Sequence, residues 1–91
     1  MICVHALILD WNIKQLIGQT RIDVELQENN AIIRSLVEKL DKEYGGRIAE
    51  AISKSNLFIL VNGQDTEFLG GQDTRLSDGD SVAITPVVAG G

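Results

Sequence analysis

Few residues in this 91-residue chain have the types and spacing that chemistry requires, and the two glycines at its end are the most informative. Gly90 and Gly91 offer a main-chain carboxylate with no side chain beside it. Such a group fits a narrow site on another protein, where any Cβ would need a wider channel. Glycines at a terminus are ordinarily mobile, and we expect residues 89–91 to be disordered on the fast timescale. The Gly90-Gly91 ending therefore predicts a C-terminal segment without side chains that enters a narrow site on a partner protein.

The other reactive side chains give weaker signals. Cys3 and His5 lie on one face of a predicted strand, but two ligands do not make a metal site. We interpret Cys3 as a small apolar side chain rather than as a sulfur acceptor. Asp78 and Asp80 resemble a carboxylate pair, yet Gly79 between them indicates a turn. The sequence therefore predicts no metal site and no nucleophile–base pair, so that any catalytic groups belong to partners.

Apolar and alternating stretches predict the strands that must hold the ending in place. These stretches are residues 2–9, 21–26, 57–61 and 81–85, with a shorter one at residues 67–69. The last strand follows the turn at Gly79 and should end at Pro86, which lacks a backbone donor. The pair Asn62-Gly63 predicts a turn after the third strand.

One amphipathic helix is predicted between the second and third strands. Its apolar stripe consists of Ile33, Leu36, Val37, Leu40 and Tyr44. Asn29 and Asn30 are suitable N-cap residues, and Gly45-Gly46 suits the helix end. Shorter helical segments are predicted at residues 13–17 and 47–53.

This order of elements predicts a mixed sheet packed on one main helix, with the first and last strands parallel at its centre. That is an α+β architecture, the β-grasp arrangement of ubiquitin-like proteins. We expect residues 1–86 to form the β-grasp domain and residues 87–91 to form a flexible C-terminal tail.

Composition narrows the classes of partner. The net charge of −5 argues against nucleic acid, which favours clustered Lys and Arg. The apolar start lacks a basic leader and is interrupted by Asp10, so we expect neither a signal peptide nor a membrane span. A single cysteine excludes an internal disulfide. The expected location is cytoplasmic.

The outer face of the sheet is the predicted partner surface. A helix covers only one face, yet the first and third strands are apolar on both faces. If the even-numbered residues of the first strand face the core, the outward side chains are Cys3, His5, Leu7 and Leu9. A contiguous apolar patch on a small domain usually marks a binding surface. We predict that partners bind Leu7, Phe58 and Leu60, with Pro86 and Val87 at the root of the tail.

Several motifs together carry a resemblance to a known family. They are Val61-Asn62-Gly63, Leu69-Gly70-Gly71-Gln72-Asp73-Thr74, Leu76, Asp78-Gly79-Asp80 and Pro86-Val87-Val88-Ala89-Gly90-Gly91. With them the chain resembles the ubiquitin-like sulfur carriers of the MoaD/ThiS family, and most of all the small subunits of molybdopterin synthase. Those subunits usually have two prolines where this chain has Pro86 and Val87. The ending Val-Val-Ala-Gly-Gly is similar to that of the carriers for thiazole synthesis.

The resemblance implies that a ubiquitin-activating-type enzyme uses ATP to adenylate Gly91, whose carboxylate then becomes a thiocarboxylate. Val88, Ala89 and Gly90 would thread into the partner's site. The implied partners are this adenylating enzyme and the large subunit of molybdopterin synthase, and the chain itself would bind no cofactor. Three alternatives stay open: a carrier for thiazole or another acceptor, a protein modifier joined through Gly91, and an interaction domain with an inert tail.

Overall fold

The computed structural model of the protein describes residues 1–86, within which five strands form one mixed sheet. The strands are β1 (Ile2–Ile8), β2 (Arg21–Leu26), β3 (Phe58–Val61), β4 (Gln64–Asp65) and β5 (Ser81–Thr85). Their order in the sheet is β2-β1-β5-β3-β4. β1 and β5 are parallel, and the other neighbouring pairs are antiparallel. The predicted pairing of the first and last strands is confirmed, and the topology is that of the β-grasp fold.

The core lies on one face of this sheet. The helices are α1 (Trp11–Ile17), α2 (Ile33–Tyr44) and α3 (Ile48–Lys54). The predicted stripe of α2 is confirmed, because Ile33, Leu36 and Leu40 are buried while Val37 and Tyr44 pack at its edge. All three helices contribute residues to the same core as the even-numbered side chains of β1. Within residues 1–86, the opposite face of the sheet therefore carries no helix.

α1 connects the end of β1 to β2. A carboxylate oxygen of Asp10 accepts a hydrogen bond from the Ile13 backbone N–H at 3.1 Å, which is the usual role of an N-cap. Gly18 ends the helix with a φ of +84°, a conformation in which glycine has no Cβ clash. The helix starts two residues earlier than residues 13–17 predicted, so that Trp11 is its first residue.

The prediction that Asn29 and Asn30 cap α2 is wrong. Both residues lie in a short 3₁₀ turn, and the N-cap position belongs to Ile32, whose side chain has no acceptor. The Ile33 backbone N–H instead donates to the Thr74 carbonyl at 3.1 Å. The first N–H of α2 is thus satisfied by the backbone of a loop distant in sequence, and not by a local capping side chain.

The C-terminal end of α2 fixes the position of α3. α2 ends at Tyr44, and Gly45 follows it as the C-cap with a φ of +96°, as the glycine pair predicted. One carboxylate oxygen of Asp41 in α2 accepts hydrogen bonds from the backbone N–H groups of Ile48 (2.7 Å) and Ala49 (3.1 Å). These are the first two residues of α3, so α3 is capped by a side chain of the preceding helix.

After β3, the predicted turn is present and the predicted short strand is not. The turn at Asn62 and Gly63 is confirmed, since β4 pairs antiparallel with β3 directly after it. The strand predicted at residues 67–69 is wrong. An oxygen of the Asp65 side chain accepts a hydrogen bond from the Glu67 N–H at 2.9 Å, and the chain turns there into a 3₁₀ helix.

Candidate functional site

The site predicted at the C-terminus is rooted at the end of β5. This strand lies between β1 and β3, and its pairing with β3 continues to Thr85. Pro86 follows and is exposed. The residues predicted to react, to thread or to bind beyond this point, Val87, Val88, Ala89, Gly90 and Gly91, lie outside the described residues, and so does the disorder predicted for the last three. The structure thus defines the root of this segment and its surroundings.

The start of β5 is held by side chains of two turns. A carboxylate oxygen of Asp80 accepts a hydrogen bond from the side-chain amide of Asn62 at 3.0 Å, and the side-chain oxygen Oδ1 of Asn62 accepts one from the Ser81 N–H at 2.9 Å. Asp78 accepts a hydrogen bond from the Cys3 backbone N–H at 2.7 Å. The interpretation of both aspartates as turn residues is confirmed. They tie β5 to its two neighbours, β1 and β3.

An apolar patch lies on the outer face of the sheet beside β5. Leu60 of β3, Ala83 of β5 and Leu7 of β1 are directly opposite one another in register, so their side chains form one row. Phe58 lies two residues before Leu60 and therefore shares this face. We call Leu7, Phe58, Leu60 and Ala83 the outer patch, and all four are half-buried. The structure thus brings three of the predicted partner-binding residues together.

The other half of the outer face is polar. Nδ1 of His5 lies 2.7 Å from a carboxylate oxygen of Asp23, and the two residues face each other across β1 and β2. Cys3 lies directly opposite Glu25 on the same two strands. A partner that covers the whole face therefore needs an apolar surface near Pro86 and a surface that tolerates carboxylates farther away.

Cys3 is placed where its thiol is a poor nucleophile. Partial burial, and then the negative charges of Asp23, Asp78 and Glu25, raise the pKa of the Cys3 thiol above its ordinary value. The thiolate is the reactive form of cysteine, so a raised pKa lowers its reactivity. This environment agrees with the interpretation of Cys3 as an apolar side chain rather than as a sulfur acceptor.

Residues 1–86 contain few other features from which a reactive or binding site could be built. Among residues 1–86, no three or more His, Cys, Asp or Glu side chains are grouped so that they could hold a metal ion. In the same range every buried side-chain nitrogen or oxygen has a hydrogen-bond partner. The helices of this range are all too short or too polar to cross a membrane.

The large exposed apolar side chains of residues 1–86 are Met1, Leu9 (53% exposed), Trp11 (71%), Phe68 (86%) and Leu69. Leu9 was predicted to face outward, whereas the exposure of Met1, Phe68 and Leu69 was not predicted. For Trp11 the sequence favours a contact aromatic and a residue packed on the core equally, and the structure shows it exposed. The exposure of Trp11 was predictable from the helical period. A helix that starts after Asp10 and buries Ile13 places Trp11 on its opposite side. Phe68 was predicted in a strand, and no local signal indicated its exposure.

The sequence and fold are similar to those of known proteins. The model of the ThiS family matches residues 13–91. Small archaeal modifier protein 3 of Haloferax volcanii is 32% identical over 82 residues, which cover 86% of this chain and 88% of that protein. The sulfur carrier protein CysO of Mycobacterium tuberculosis is 39% identical over 64 residues, which cover 63% of this chain and 69% of that protein. A structure assigned as molybdopterin converting factor subunit 1 of Pyrococcus furiosus has a TM-score of 0.72 and 26% identity, covering 97% of this chain and 100% of that one.

Proposed function

Because this chain belongs to the ThiS family and is a ubiquitin-like sulfur carrier, we propose that Gly91 is the residue that carries the sulfur. A ubiquitin-activating-type enzyme joins the Gly91 carboxylate to AMP at the expense of ATP. AMP is a far better leaving group than the carboxylate oxygen, so a sulfur donor displaces it and leaves a thiocarboxylate. The chain supplies the acyl group, and the partner supplies the catalytic groups.

The observation that carries this proposal is the position of the root. β5 is paired on both sides, and its start is tied down by Asp78 and Asp80. Pro86 therefore leaves the domain from a fixed point and is itself exposed. A preorganised site tolerates roughly 0.5 Å of misplacement. A fixed root limits where the reactive carboxylate can lie once the domain has docked.

We further infer that partners hold the domain by the outer patch. Its four side chains lie on β5 and on the two strands beside it, and each still exposes part of its apolar surface. Covering that surface would stabilise a complex by about 25 cal/mol for each Å² removed from water. Val87, which follows Pro86, would extend the contact toward the partner's site. The carboxylates farther along the face would then favour a basic rim on the partner.

For the sulfur acceptor we propose the precursor of molybdopterin, with the large subunit of molybdopterin synthase as the second partner. In this role the chain is the non-catalytic, sulfur-donating subunit of that enzyme. The likeness to the P. furiosus structure over nearly the whole chain supports this choice. The alternative is that the sulfur is used for thiazole synthesis. The single proline at Pro86 and the following Val87 favour this alternative.

A second function, the modification of proteins through Gly91, is favoured by the identity with Small archaeal modifier protein 3. Both functions start from the same acyl-adenylate. They differ in the nucleophile that displaces AMP, which is sulfur in a carrier and a lysine amine in a modifier. The two products, a thiocarboxylate and an amide, are chemically distinct and can be measured in one experiment.

The test is the mass of the intact protein after incubation with ATP, a sulfide source and its cognate adenylating enzyme. We expect an increase equal to one exchange of oxygen for sulfur, located at Gly91. Deletion of Gly91 should abolish the increase while thermal stability stays unchanged, because glycine has no side chain to bury. Cys3→Ser is the matched control, and it should load sulfur like the parent protein.

The outcomes separate the candidate functions. Linkage to lysine amines instead of the sulfur exchange supports the modifier, and no change at all supports an inert tail. A truncated protein that still delivers sulfur contradicts the assignment to Gly91. Addition of the molybdopterin synthase large subunit with molybdopterin precursor should return the mass to its starting value. A thiocarboxylate that persists under those conditions indicates a different acceptor.

A further inference from the structure

A groove between α1 and α3 lies apart from the outer patch and has a volume of about 530 Å³. Leu16 and Ala51 line its floor, since both are half-buried and pack against the core. α1 contributes Trp11, which is 71% exposed. α3 contributes Arg47, at its N-cap position, and Lys54. The groove therefore combines a large aromatic surface with two cations.

The two helices that form the groove are held by caps. Asp10 caps the first turn of α1, and Asp41 caps the first turn of α3 with two hydrogen bonds. Both helices also bury isoleucines in the core, namely Ile13 and Ile17 of α1 and Ile48 of α3. The groove is thus formed before any partner arrives, which lowers the entropic cost of binding.

The charge of the groove is opposite to that of the whole chain. Its cations Arg47 and Lys54 outnumber its single carboxylate, Glu50, while the chain carries a net charge of −5. Glu50 lies 3.7 Å from Lys54, and both side chains are largely exposed, so this ion pair is weak. Among residues 1–86, no carboxylate pairs with Arg47. The groove therefore carries a net positive charge in an acidic chain, and it favours an acidic ligand.

The groove also lies at the functional end of the molecule. The Leu9 backbone N–H donates to the Ile84 carbonyl at 2.9 Å, near the end of β5. Trp11 follows two residues later, so the helix that bears it starts beside the strand from which the tail leaves. A protein that binds the root of the tail at Pro86 therefore approaches the end of the sheet at which α1 begins.

We propose that the groove between α1 and α3 is a docking site for a short acidic segment of the adenylating enzyme. An apolar side chain of that segment covers Trp11, and its carboxylates pair with Arg47 and Lys54. Arginine binds a carboxylate through two parallel hydrogen bonds, and tryptophan is among the residues that dominate binding energies. The inference rests on the proposed function, since the enzyme is the one that acts on Gly91.

A fluorine probe tests this directly. Trp11 is the only tryptophan of the chain, so labelling with 5-fluorotryptophan places a single ¹⁹F resonance in the groove. Addition of the unlabelled cognate adenylating enzyme to the full-length protein should shift this resonance. In binding measurements, Trp11→Ala should weaken the complex about thirtyfold, and the double change Arg47→Glu and Lys54→Glu about tenfold.

The matched control is the double change Lys42→Glu and Arg75→Glu. It alters the net charge by the same amount at exposed positions that do not line the groove. We expect it to weaken binding by less than about threefold, the size of a general charge effect at exposed sites. Equal losses in the two double variants would show a long-range attraction to the enzyme and would overturn the inference.

The remaining outcomes separate this inference from the proposed function. An unshifted resonance at saturating enzyme, while Gly91 still acquires sulfur, refutes the docking site alone. Absence of both the complex and the thiocarboxylate refutes the proposed function and the inference with it. A resonance that shifts with the protein's own concentration, without enzyme, assigns the groove to a second copy of the chain and contradicts the inference.

Discussion

β5 begins among hydrogen-bonded carboxylates and amides, and it finishes among apolar side chains that face solvent. At its start, Asp80 and Asn62 bond to each other and to the neighbouring backbone. Near its finish, Leu9 and Trp11 are more than half exposed. Local hydrogen bonds at the start stabilise the folded chain by itself. Exposed apolar surface at the finish contributes nothing until a partner covers it.

We infer from this difference that the two ends of β5 have separate roles, one in stability and the other in docking. The start of β5 sets the position of the strand, and the end of β5 presents the tail together with a surface for docking. Substitutions at the start should therefore change stability and leave binding intact. Substitutions at the end should do the reverse.

The largest effect is expected at the outer patch. Leu7→Lys or Phe58→Lys places a charged amine where the proposed contact is apolar, and we expect the affinity for the adenylating enzyme to fall about a hundredfold. Both side chains are only half-buried, so the free energy of unfolding should change by about 1 kcal/mol at most. Isothermal titration calorimetry and urea denaturation measure the two quantities.

Ser81→Lys is the control for these two variants. Ser81 is exposed on the same face of the sheet, at the start of β5, and pairs with His5 of β1. The same lysine there should change the affinity by less than about threefold, as for other surface charges. A Ser81→Lys variant that binds as poorly as Leu7→Lys would mean that docking covers the whole face rather than the outer patch.

A smaller effect, on stability, is expected at the start of β5. Asp80→Ala removes the acceptors of the Asn62 amide and of the Ser77 N–H (2.8 Å). We expect a loss of about 1 to 2 kcal/mol in the free energy of unfolding, as for hydrogen bonds at a partly exposed site. Sulfur loading well below the melting temperature should be unchanged. A variant that keeps its stability, or that loads more slowly while folded, would contradict the separation of tasks.

The strands and the main helix were predictable because their signals are local. Residues 21–26 alternate strictly, and the structure has β2 at those positions. Ile33, Leu36 and Leu40, predicted on the apolar stripe of the main helix, are buried. The parity of β1 also followed from sequence, and it correctly gave the outward direction of Leu7. Period and parity are properties of neighbouring residues, so no distant contact was needed.

The features that failed depend on contacts distant in sequence. Asn29 and Asn30 have the right chemistry for a cap, but the backbone of Thr74 satisfies the first N–H of α2. Nothing local shows which loop passes that helix end. The groove at Trp11 was not predictable either, because it exists only where α3 packs beside α1. The cap that Asp41 gives α3 is one of the contacts that decide this position.

The smallest effect concerns the thiol beside the start of β5. The charge of Asp78 helps to raise the pKa of Cys3, so Asp78→Asn should lower that pKa while the amide oxygen still accepts the bond from the Cys3 N–H. Alkylation by iodoacetamide requires the thiolate, and at a pH below the thiol's pKa the rate should rise about two- to threefold. The gain should disappear as the pH rises through the pKa, where both proteins are ionised, and should shrink at high salt because the interaction is screened. Glu67→Gln, with the same change in charge on a distant loop, should leave the rate unchanged. A slower reaction in Asp78→Asn would mean that hydrogen bonding rather than charge controls the thiol at this end of β5.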